Sequence, residues 1–504
     1  MATAGGGLGA DVDEWRHARL IPTYGIRSQE EQEKRATSCL LAVMHGVPDF
    51  GHALLSDLGA PRSPVINTFG EVRFKGADGK TDIPDGAIVC ERAGRRWTCL
   101  VEVKTGTATL GDDQVGRYLD VAREHDFDGV LTISNAITHS VSESPVAVDG
   151  RKLRKTKLWH LSWWRVLTEA VIQSRHRGVS DTDQAWVLRE LIHYLSSEAS
   201  GIAGFEDMGE HWVPVRSAAR DGTLRQGDPT LRHVAERWEQ FIEYLCLSFS
   251  QELGRGVFCP RGRKQSTSAR VDEVERSLAI DGRLEATIRV PDAIGDLCLV
   301  ADLKARQTTI SVDVEAPTEG RPKSRINWLV RQLHEAWPDL RIEVWYPHAR
   351  ESVAATLGQA RDEPATMLCA ADAKRDPRSF TLALTRPMGQ KRGRTEGSFV
   401  RETRAQAVTF YRELVQDLKA WQARPPQIRS ETEALKSAIS SPDALPLMPH
   451  DVDEAGTRNG DMRDFSVTAD PPIAPRGSDE AARASVGSPA DVGDGRTESS
   501  PQTP

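Results

Sequence analysis

The stretch of sequence that decides the fold spans residues 82–118 and reads DIPDGAIVCERAGRRWTCLVEVKTGTATLGDDQVGRY. Its apolar residues predict one strand over residues 83–91 and a second strand over residues 97–104. Segment 93–96 contains a glycine and predicts the turn between them, and a helix is expected over residues 111–124. The stretch therefore predicts a strand–turn–strand–helix unit in which the two strands pair antiparallel.

The strands of this unit place polar side chains close together. Glu102 and Lys104 are two residues apart and share one face of their strand, whereas Val103 points into the core. Antiparallel pairing brings Asp85, at the start of the first strand, near Glu102. Two carboxylates can hold a hard divalent cation, to which the Val103 carbonyl adds a third oxygen, and a neighbouring lysine can contact the attacking water and offset charge on a phosphate.

The following helix adds a glutamine and a tyrosine to the same neighbourhood. Gln114 and Tyr118 are four residues apart, so they lie on one helical face that can lean back over the strands. We expect them to position the metal-site acid or the nucleic-acid backbone. Glu-x-Lys alone is usually a solvated edge and Pro-Asp-Gly alone is usually a turn. It is their occurrence together, in this order, that predicts a phosphodiester-cutting site.

In this arrangement Pro84-Asp85, Glu102-Val103-Lys104 and the Gln-x-x-x-Tyr element resemble the PD-(D/E)xK nuclease superfamily, in particular the branch that contains recombination exonucleases. The resemblance covers about residues 28–175. It implies a restriction-endonuclease-like α/β domain with a central mixed sheet flanked by helices. It also implies Mg²⁺- or Mn²⁺-dependent hydrolysis of nucleic acid, DNA rather than RNA, with Asp85 and Glu102 as metal ligands and Lys104 as the catalytic lysine.

A helix before the sheet supplies a further candidate ligand. Residues 28–46 predict this helix, with Ser28 as its N-cap and Glu31 completing a capping box. Nucleases of this superfamily often add a glutamate from the helix before the sheet. Glu33 lies near the inward face of the helix and is the candidate metal ligand, with Glu30 as its nearest competitor.

A second match to the acid-x-lysine pattern lies further along the chain. Asp292 follows a proline, and Asp302 and Lys304 come later in the same order. We interpret residues 290–297 as a tight hairpin turn, and no Gln-x-x-x-Tyr element follows. The first match is therefore favoured, and the second is kept as an alternative site.

Charge is unevenly distributed along the chain, whose formal net charge is −8. Residues 431–504 carry 14 acidic and 6 basic residues, which leaves 59 of the 73 acidic and 59 of the 65 basic residues in the remainder. Because that remainder is neutral, local basic patches decide its partners. The patch predicted to contact nucleic acid comprises Arg151, Lys152, Arg154, Lys155 and Lys157. Smaller patches are Arg261, Arg263 and Lys264, and Lys391, Arg392 and Arg394.

Composition and periodicity divide the chain into five parts. The C-terminal part is rich in Pro, Ser, Asp and Ala and is predicted to be disordered, because it cannot bury enough apolar surface to fold. A protein partner is expected to bind through this tail or through the second domain. The predicted parts are a flexible lead (1–27), the nuclease-like domain (28–198), a turn-rich linker (199–229), an α+β domain of unknown role (230–425) and the acidic tail (426–504).

Other features of the sequence bear on location and function class. No apolar run is long enough to span a membrane, and no secretory signal is recognised at the N-terminus. The seven cysteines include no Cys-x-x-Cys pair, which favours a reducing cytoplasm and argues against a zinc site. Two function classes remain: a cytoplasmic endo- or exonuclease acting in defence or repair, and a non-catalytic nuclease-fold protein that serves as a binding or scaffolding module.

Overall fold

The computed structural model describes residues 18–75, 81–262, 265–333, 335–368, 375–393 and 395–423. The predictions for residues 1–17, for the acidic tail and for Arg263, Lys264 and Arg394 lie outside these residues. The described residues form two main sheets and a small two-stranded ribbon. We refer to the described residues up to 200 as the N-terminal lobe and to those from 201 onward as the C-terminal lobe.

The N-terminal lobe is built on a mixed sheet. Its described strands are β1 (Ile66–Gly70), β2 (Phe74–Lys75), β3 (Thr81–Asp82), β4 (Gly86–Arg92), β5 (Arg95–Val103), β6 (Gly129–Ser134) and β7 (Lys157–Ser162). The main sheet has the order β1-β4-β5-β6-β7, and β2 and β3 form a separate ribbon. β5, β6 and β7 run parallel, whereas β1 and β5 each pair antiparallel with β4.

Helices cover both faces of this sheet. They are α1 (Gln29–Gly46), α2 (Pro48–Leu55), α3 (Asp112–Glu124), α4 (Trp163–Ile172) and α5 (Thr182–Leu195). Strand β5 shows how the two faces divide: Val101 and Val103 join the core under α1, α2, α4 and α5, while Leu100 joins the smaller core under α3. The period-2 alternation of β5 therefore places Glu102 on the α3 side. The prediction of a mixed sheet flanked by helices is confirmed.

Local signals in the sequence account for several boundaries. The Ser28 side chain accepts a hydrogen bond from the Glu31 amide at 3.2 Å and caps α1 as predicted. In a capping box the Glu31 carboxylate would accept from the Ser28 amide. It accepts instead from the Arg27 amide, at 2.7 Å, so the predicted capping box is not formed. The first strand, predicted over residues 83–91, begins at Gly86 as β4. Residues 83–85 connect β3 to β4.

The C-terminal lobe contains an antiparallel sheet and its own core. Its described strands are β8 (Arg283–Ile288), β9 (Leu297–Asp302), β10 (Gln307–Glu315), β11 (Arg341–Trp345), β12 (Val353–Thr356) and β13 (Ser379–Pro387), arranged in the order β12-β11-β13-β10-β9-β8. Its described helices are α6 (Trp212–Arg220), α7 (Pro229–Leu253), α8 (Thr267–Asp281), α9 (Pro322–Gln332), α10 (Leu357–Asp362) and α11 (Phe399–Glu413).

Helix α6 lies inside the stretch that the sequence predicts to be turn-rich. Trp212, in α6, is 2% exposed and packs on Phe399 of α11, with 4.6 Å between ring centroids. The two lobes also touch, since Trp164 of α4 packs on Tyr244 of α7 at 4.9 Å. None of the described helices is both long enough and apolar enough to cross a bilayer.

Candidate active site

The hairpin of β4 and β5 brings the two predicted acids together at its open end. Gly86 pairs with Val101, so Asp85, one residue before β4, comes opposite Glu102. Asp85 Oδ2 accepts a hydrogen bond from the Val103 amide at 2.8 Å, which extends the strand pairing by one side-chain contact. The position after Asp85 must be glycine, because a Cβ there would lie 2.8 Å from the backbone carbonyl oxygen of Phe69 in the paired strand β1.

Lys104 lies just beyond the end of β5 and contacts three of the predicted metal ligands. Its Nζ donates to Glu102 Oε1 at 2.6 Å and to the Val103 carbonyl at 3.1 Å. The same nitrogen lies 3.5 Å from Glu33 Oε2. The lysine ammonium therefore contacts the same oxygen atoms that would coordinate a divalent cation.

The backbone at the end of β5 is fixed from three directions. The Lys104 amide donates to the Ile133 carbonyl of β6 at 2.8 Å, and the Lys104 carbonyl accepts from Trp163 Nε1 of α4 at 2.9 Å. Gln29 Nε2 of α1 donates to the Thr105 carbonyl at 3.0 Å. The bond from Gln29 holds α1 against the end of β5, which explains why Glu33, one helical turn beyond Gln29, reaches Lys104.

Gln114 and Tyr118 contact each other and the segment ahead of Asp85. Gln114 Nε2 donates to the Tyr118 hydroxyl at 3.2 Å, and that hydroxyl donates to the Ile83 carbonyl at 3.1 Å. Tyr118 is buried, at 5% exposure. In this structure the pair fastens α3 to the backbone two residues before Asp85, which orients the acid.

Burial and charge perturb the protonation of the site. Glu102 is 1% exposed, and its Oε2 has no hydrogen-bond partner among the described residues. Burial, and then the charge of Asp85, raise the pKa of Glu102 to about 7. Burial also raises the pKa of Asp85, against the opposing Val103 amide and Lys104 charge. Two carboxyl groups this close in a poorly hydrated place disfavour full ionisation unless a cation compensates.

The pKa of Lys104 is raised as well, but for a different reason. Burial alone would lower it, but the hydrogen bond and charge of Glu102, with the charges of Asp85 and Glu33, outweigh burial and raise it. The ammonium is therefore charged across the physiological pH range. It is the cation that balances these carboxylates in the structure.

The donor set fits a hard metal ion only if Lys104 moves. Within the described residues there is no ready group of three or more His, Cys, Asp or Glu side chains that could hold a metal ion. The oxygens of Asp85, Glu102 and the Val103 carbonyl are of the kind that Mg²⁺ and Mn²⁺ prefer as ligands. Glu102 Oε2, to which no described residue donates a hydrogen bond, is available to coordinate a metal ion. Glu33 is within reach of the same ammonium and can add a fourth ligand.

A groove leads to the acids from the side of α1. It is a cavity of about 460 Å³ that reaches Asp85, and Thr37 and Ser38 of α1 line one wall. Phe69 of β1, which is 52% exposed, lines the other. The groove offers an extended ligand a path to Asp85 along the edge of the sheet.

The predicted basic patch lies away from these acids. The parallel strands align Lys157 with Gly129 and Cys99, three residues along the strands from the level of Glu102. Lys152 is engaged by α3, because its Nζ donates to Asp120 at 2.6 Å. The other members of the patch are exposed, and the structure does not bring them into the site: Arg151, Arg154, Lys155 and Lys157.

The alternative acid-x-lysine site is not assembled. Asp292 lies in the exposed turn between β8 and β9, at φ 63°, and pairs with Arg255. Asp302 is at the opposite end of β9 and pairs with Arg283 at 3.0 Å. Lys304 Nζ donates to the Ile280 carbonyl at 3.2 Å, so the three residues do not share a site.

The smaller basic patches are partly used in internal contacts. Arg261 pairs with Glu239, a 2% exposed residue of α7, at 3.2 Å. Arg392 lies 3.8 Å from Asp207. Lys391 is exposed. Among the described residues, the arginine of each patch, Arg261 or Arg392, therefore lies beside a carboxylate.

Several residues that support the site do not stand out in the sequence. Gln29 and Trp163 are examples, although the helical spacing of Gln29 and Glu33 was available as a signal. His160 is another, since the register places it in line with Thr132 and Glu102. Thr132 Oγ1 is 3.0 Å from His160 Nδ1, and burial lowers the pKa of His160 to about 4, so the imidazole stays neutral.

Comparison with known proteins adds no relative: no family model matches the chain, and the search of curated proteins finds no match.

Proposed function

We propose that the protein is a Mg²⁺- or Mn²⁺-dependent nuclease of the PD-(D/E)xK type that hydrolyses phosphodiester bonds, with DNA as the substrate that the resemblance favours. One observation carries the proposal. The Asp85 and Glu102 carboxylates, the Val103 carbonyl and the Lys104 ammonium meet at the open end of one hairpin. The perturbed pKa values of the two acids support it, because such shifts cluster at functional sites.

Each residue has a distinct role in this proposal. Asp85, Glu102 and the Val103 carbonyl would hold the metal, with Glu33 as a further ligand. When bound, the metal supplies charge neutralisation at the phosphate and a water of lowered pKa. Lys104, displaced from Glu102 Oε1, keeps its charge on a flexible stem and offsets negative charge that develops on the phosphate.

The remaining predicted residues act around this centre. Gln114 and Tyr118 hold the segment ahead of Asp85 in place. The exposed basic residues are proposed to contact phosphates of the nucleic acid away from the cut: Arg151, Arg154, Lys155 and Lys157. Lys157 is the one whose register is known, three residues along the strands from the level of Glu102. We further propose a cytoplasmic role in defence or repair, with a protein partner bound through the C-terminal lobe or the tail.

A digestion assay with matched variants tests the proposal. Linear, circular and single-stranded DNA and RNA are incubated with the full chain and Mg²⁺ or Mn²⁺. Asp85→Asn is compared with Asp292→Asn, and we expect a loss of at least about 100-fold in cleavage only in the former. Undiminished cleavage by purified Asp85→Asn protein would refute the site.

The second candidate function is a non-catalytic binding or scaffolding module. The observation in its favour is that Lys104 already occupies Glu102 Oε1 and the Val103 carbonyl, so the fold needs no metal to balance its carboxylates. Calorimetric titration with Mn²⁺ separates the two. The nuclease requires binding that Glu102→Gln abolishes, whereas the module shows no heat that depends on Glu102.

A further inference from the structure

A second cavity lies between the two lobes and shares no wall with the groove at Asp85. Its volume is about 420 Å³, within the range of small-molecule sites. Helix α4 contributes one wall, and α7 and α11 contribute others. The lining combines aromatic rings with arginines: Trp164, Phe205 and Tyr244, and Arg175, Arg401 and Arg404.

Two hydrogen-bond donors in this lining lack an acceptor. Trp164 Nε1 and Arg404 Nε are buried and have no partner in the described parts of the chain. Native proteins rarely leave buried donors unpaired, because their desolvation is then uncompensated. Both atoms are donors, so a ligand group that pairs with them would be one that carries acceptor oxygens.

The charges of the lining point to an anion. None of the three arginines forms an ion pair with a described residue, whereas Glu206, the acidic residue in the wall, has a polar partner of its own. Arginine presents a planar fork of donors that suits phosphate oxygens. A phosphate group is therefore the anion that this wall is best equipped to bind.

The aromatic part of the lining adds a second requirement. The rings of Trp164 and Tyr244 lie 4.9 Å apart at 40° and form an aromatic wall. Phe205 packs behind Tyr244 at 6.2 Å, and the Arg237 guanidinium already covers its ring at 4.3 Å. Such a wall favours the flat face of a base. We propose that this cavity binds a nucleotide, with its base against the aromatic wall and its phosphate on Arg404 and Arg401.

The test uses the full chain in metal-free buffer, where the carboxylates of the candidate active site cannot hold phosphate through a metal. The four nucleoside 5′-monophosphates, ATP, adenosine and inorganic phosphate are titrated by calorimetry. We expect at least one nucleotide to bind about tenfold more tightly than adenosine or phosphate, since each of those makes only part of the contacts. Absence of binding by every nucleotide, or phosphate binding as tightly as the nucleotides, overturns the proposal.

Three variants locate the binding. Arg404→Ala should weaken it about tenfold or more, because a charged hydrogen-bond donor is lost. Trp164→Phe keeps an aromatic ring but removes the indole N–H, and should weaken binding severalfold. Arg412→Ala is the control, since Arg412 is exposed on the same helix and pairs with Glu413. Nucleotide affinity that is unchanged in both Arg404→Ala and Trp164→Phe, with the fold intact by circular dichroism, also overturns it.

Discussion

Glu102 links the candidate chemistry to the stability of the fold. Its pKa is about 7 in the folded protein, against an ordinary value of 4.5, so the folded state keeps this proton at a pH where the unfolded chain has lost it. The contribution of Glu102 to the free energy of unfolding is therefore full below about pH 4.5 and declines as the pH rises toward 7. We expect Glu102→Gln, which cannot ionise, to remove this decline.

Melting temperatures of the wild type and Glu102→Gln between pH 4 and pH 8 measure the effect. The variant should gain stability relative to the wild type as the pH rises. Asp85→Asn is the companion variant: it removes the charge that helps to raise the pKa of Glu102, so the decline should be smaller and should end at a lower pH. Parallel curves for the wild type and Glu102→Gln would contradict the assignment.

Lys104 provides a second test at the same scale, because it competes with the metal for oxygens. Lys104→Met removes a positive charge from Glu102 Oε1 and the Val103 carbonyl. We expect Mn²⁺ to bind on the order of tenfold more tightly, while cleavage falls by about 100-fold or more. Calorimetry and the digestion assay measure the two effects. Lys304→Met should change neither, and weaker metal binding by Lys104→Met would argue against a shared site.

The order of these residues in the sequence was enough to predict that they form the site, but it did not predict which atoms they contact. Period-2 alternation was enough to put Glu102, in β5, and Lys104, just beyond its end, on one side of the chain. The bond from Lys104 to the Val103 carbonyl depends on how a long side chain turns at the end of a strand. The direction of the Lys104 side chain depends on the surrounding charges, including that of Glu33 in α1. The sequence near Lys104 does not reveal these charges.

At the scale of secondary-structure elements, the register of a hairpin separates the two acid-x-lysine matches. Asp85 and Glu102 are at the two free ends of one hairpin, so pairing brings them together. Asp292 is in the turn and Asp302 is at the far end of β9, so pairing holds them apart. The number of residues between each acid and the turn therefore predicts better than the acid-x-lysine pattern alone whether the two acids meet.

Other elements were harder to predict for physical reasons. Strand β1 is short and mostly exposed, so it has little of the apolar pattern by which strands are recognised. Helix α8 buries Val271, Val274 and Leu278 at helical spacing, but six of its other twelve residues are charged. Helix α6 is only nine residues long, and its packing on Phe399 is set by a distant part of the chain.

Helix α3 makes a testable contribution through Tyr118. Tyr118→Phe removes the hydroxyl that joins Gln114 to the Ile83 carbonyl but keeps the buried ring. We expect the free energy of unfolding to fall by about 1 kcal/mol. Cleavage should fall about tenfold, because Asp85 loses its orientation. Tyr411→Phe, a half-buried tyrosine of the C-terminal lobe, is the control, and equal loss of activity in both variants would contradict a positioning role.

At the scale of the whole molecule, buried polar contacts join the two lobes. His139, in the segment after β6, lies 3.4 Å from Glu243 and 3.7 Å from Glu239 of α7. Gln251 Nε2 of α7 donates to Thr168 Oγ1 of α4 at 2.8 Å. The sequence indicated a boundary near residue 199, but the packing of α7 on α4 arises only once both lobes are folded. We therefore expect the lobes to unfold together.

Glu239 is the residue through which this cooperativity can be tested. It is 2% exposed, and it accepts hydrogen bonds from Arg261 and Arg270 at 3.2 Å each. Glu239→Gln leaves these arginines without their carboxylate and should lower the free energy of unfolding by roughly 3 kcal/mol. If the lobes unfold as one, urea unfolding followed by tryptophan fluorescence and by circular dichroism should shift by the same amount. Leu131→Ala, in the N-terminal core, should shift that same transition. Two separate transitions, with Glu239→Gln moving one and Leu131→Ala the other, would show instead that the lobes are independent and that the contacts of His139 contribute little.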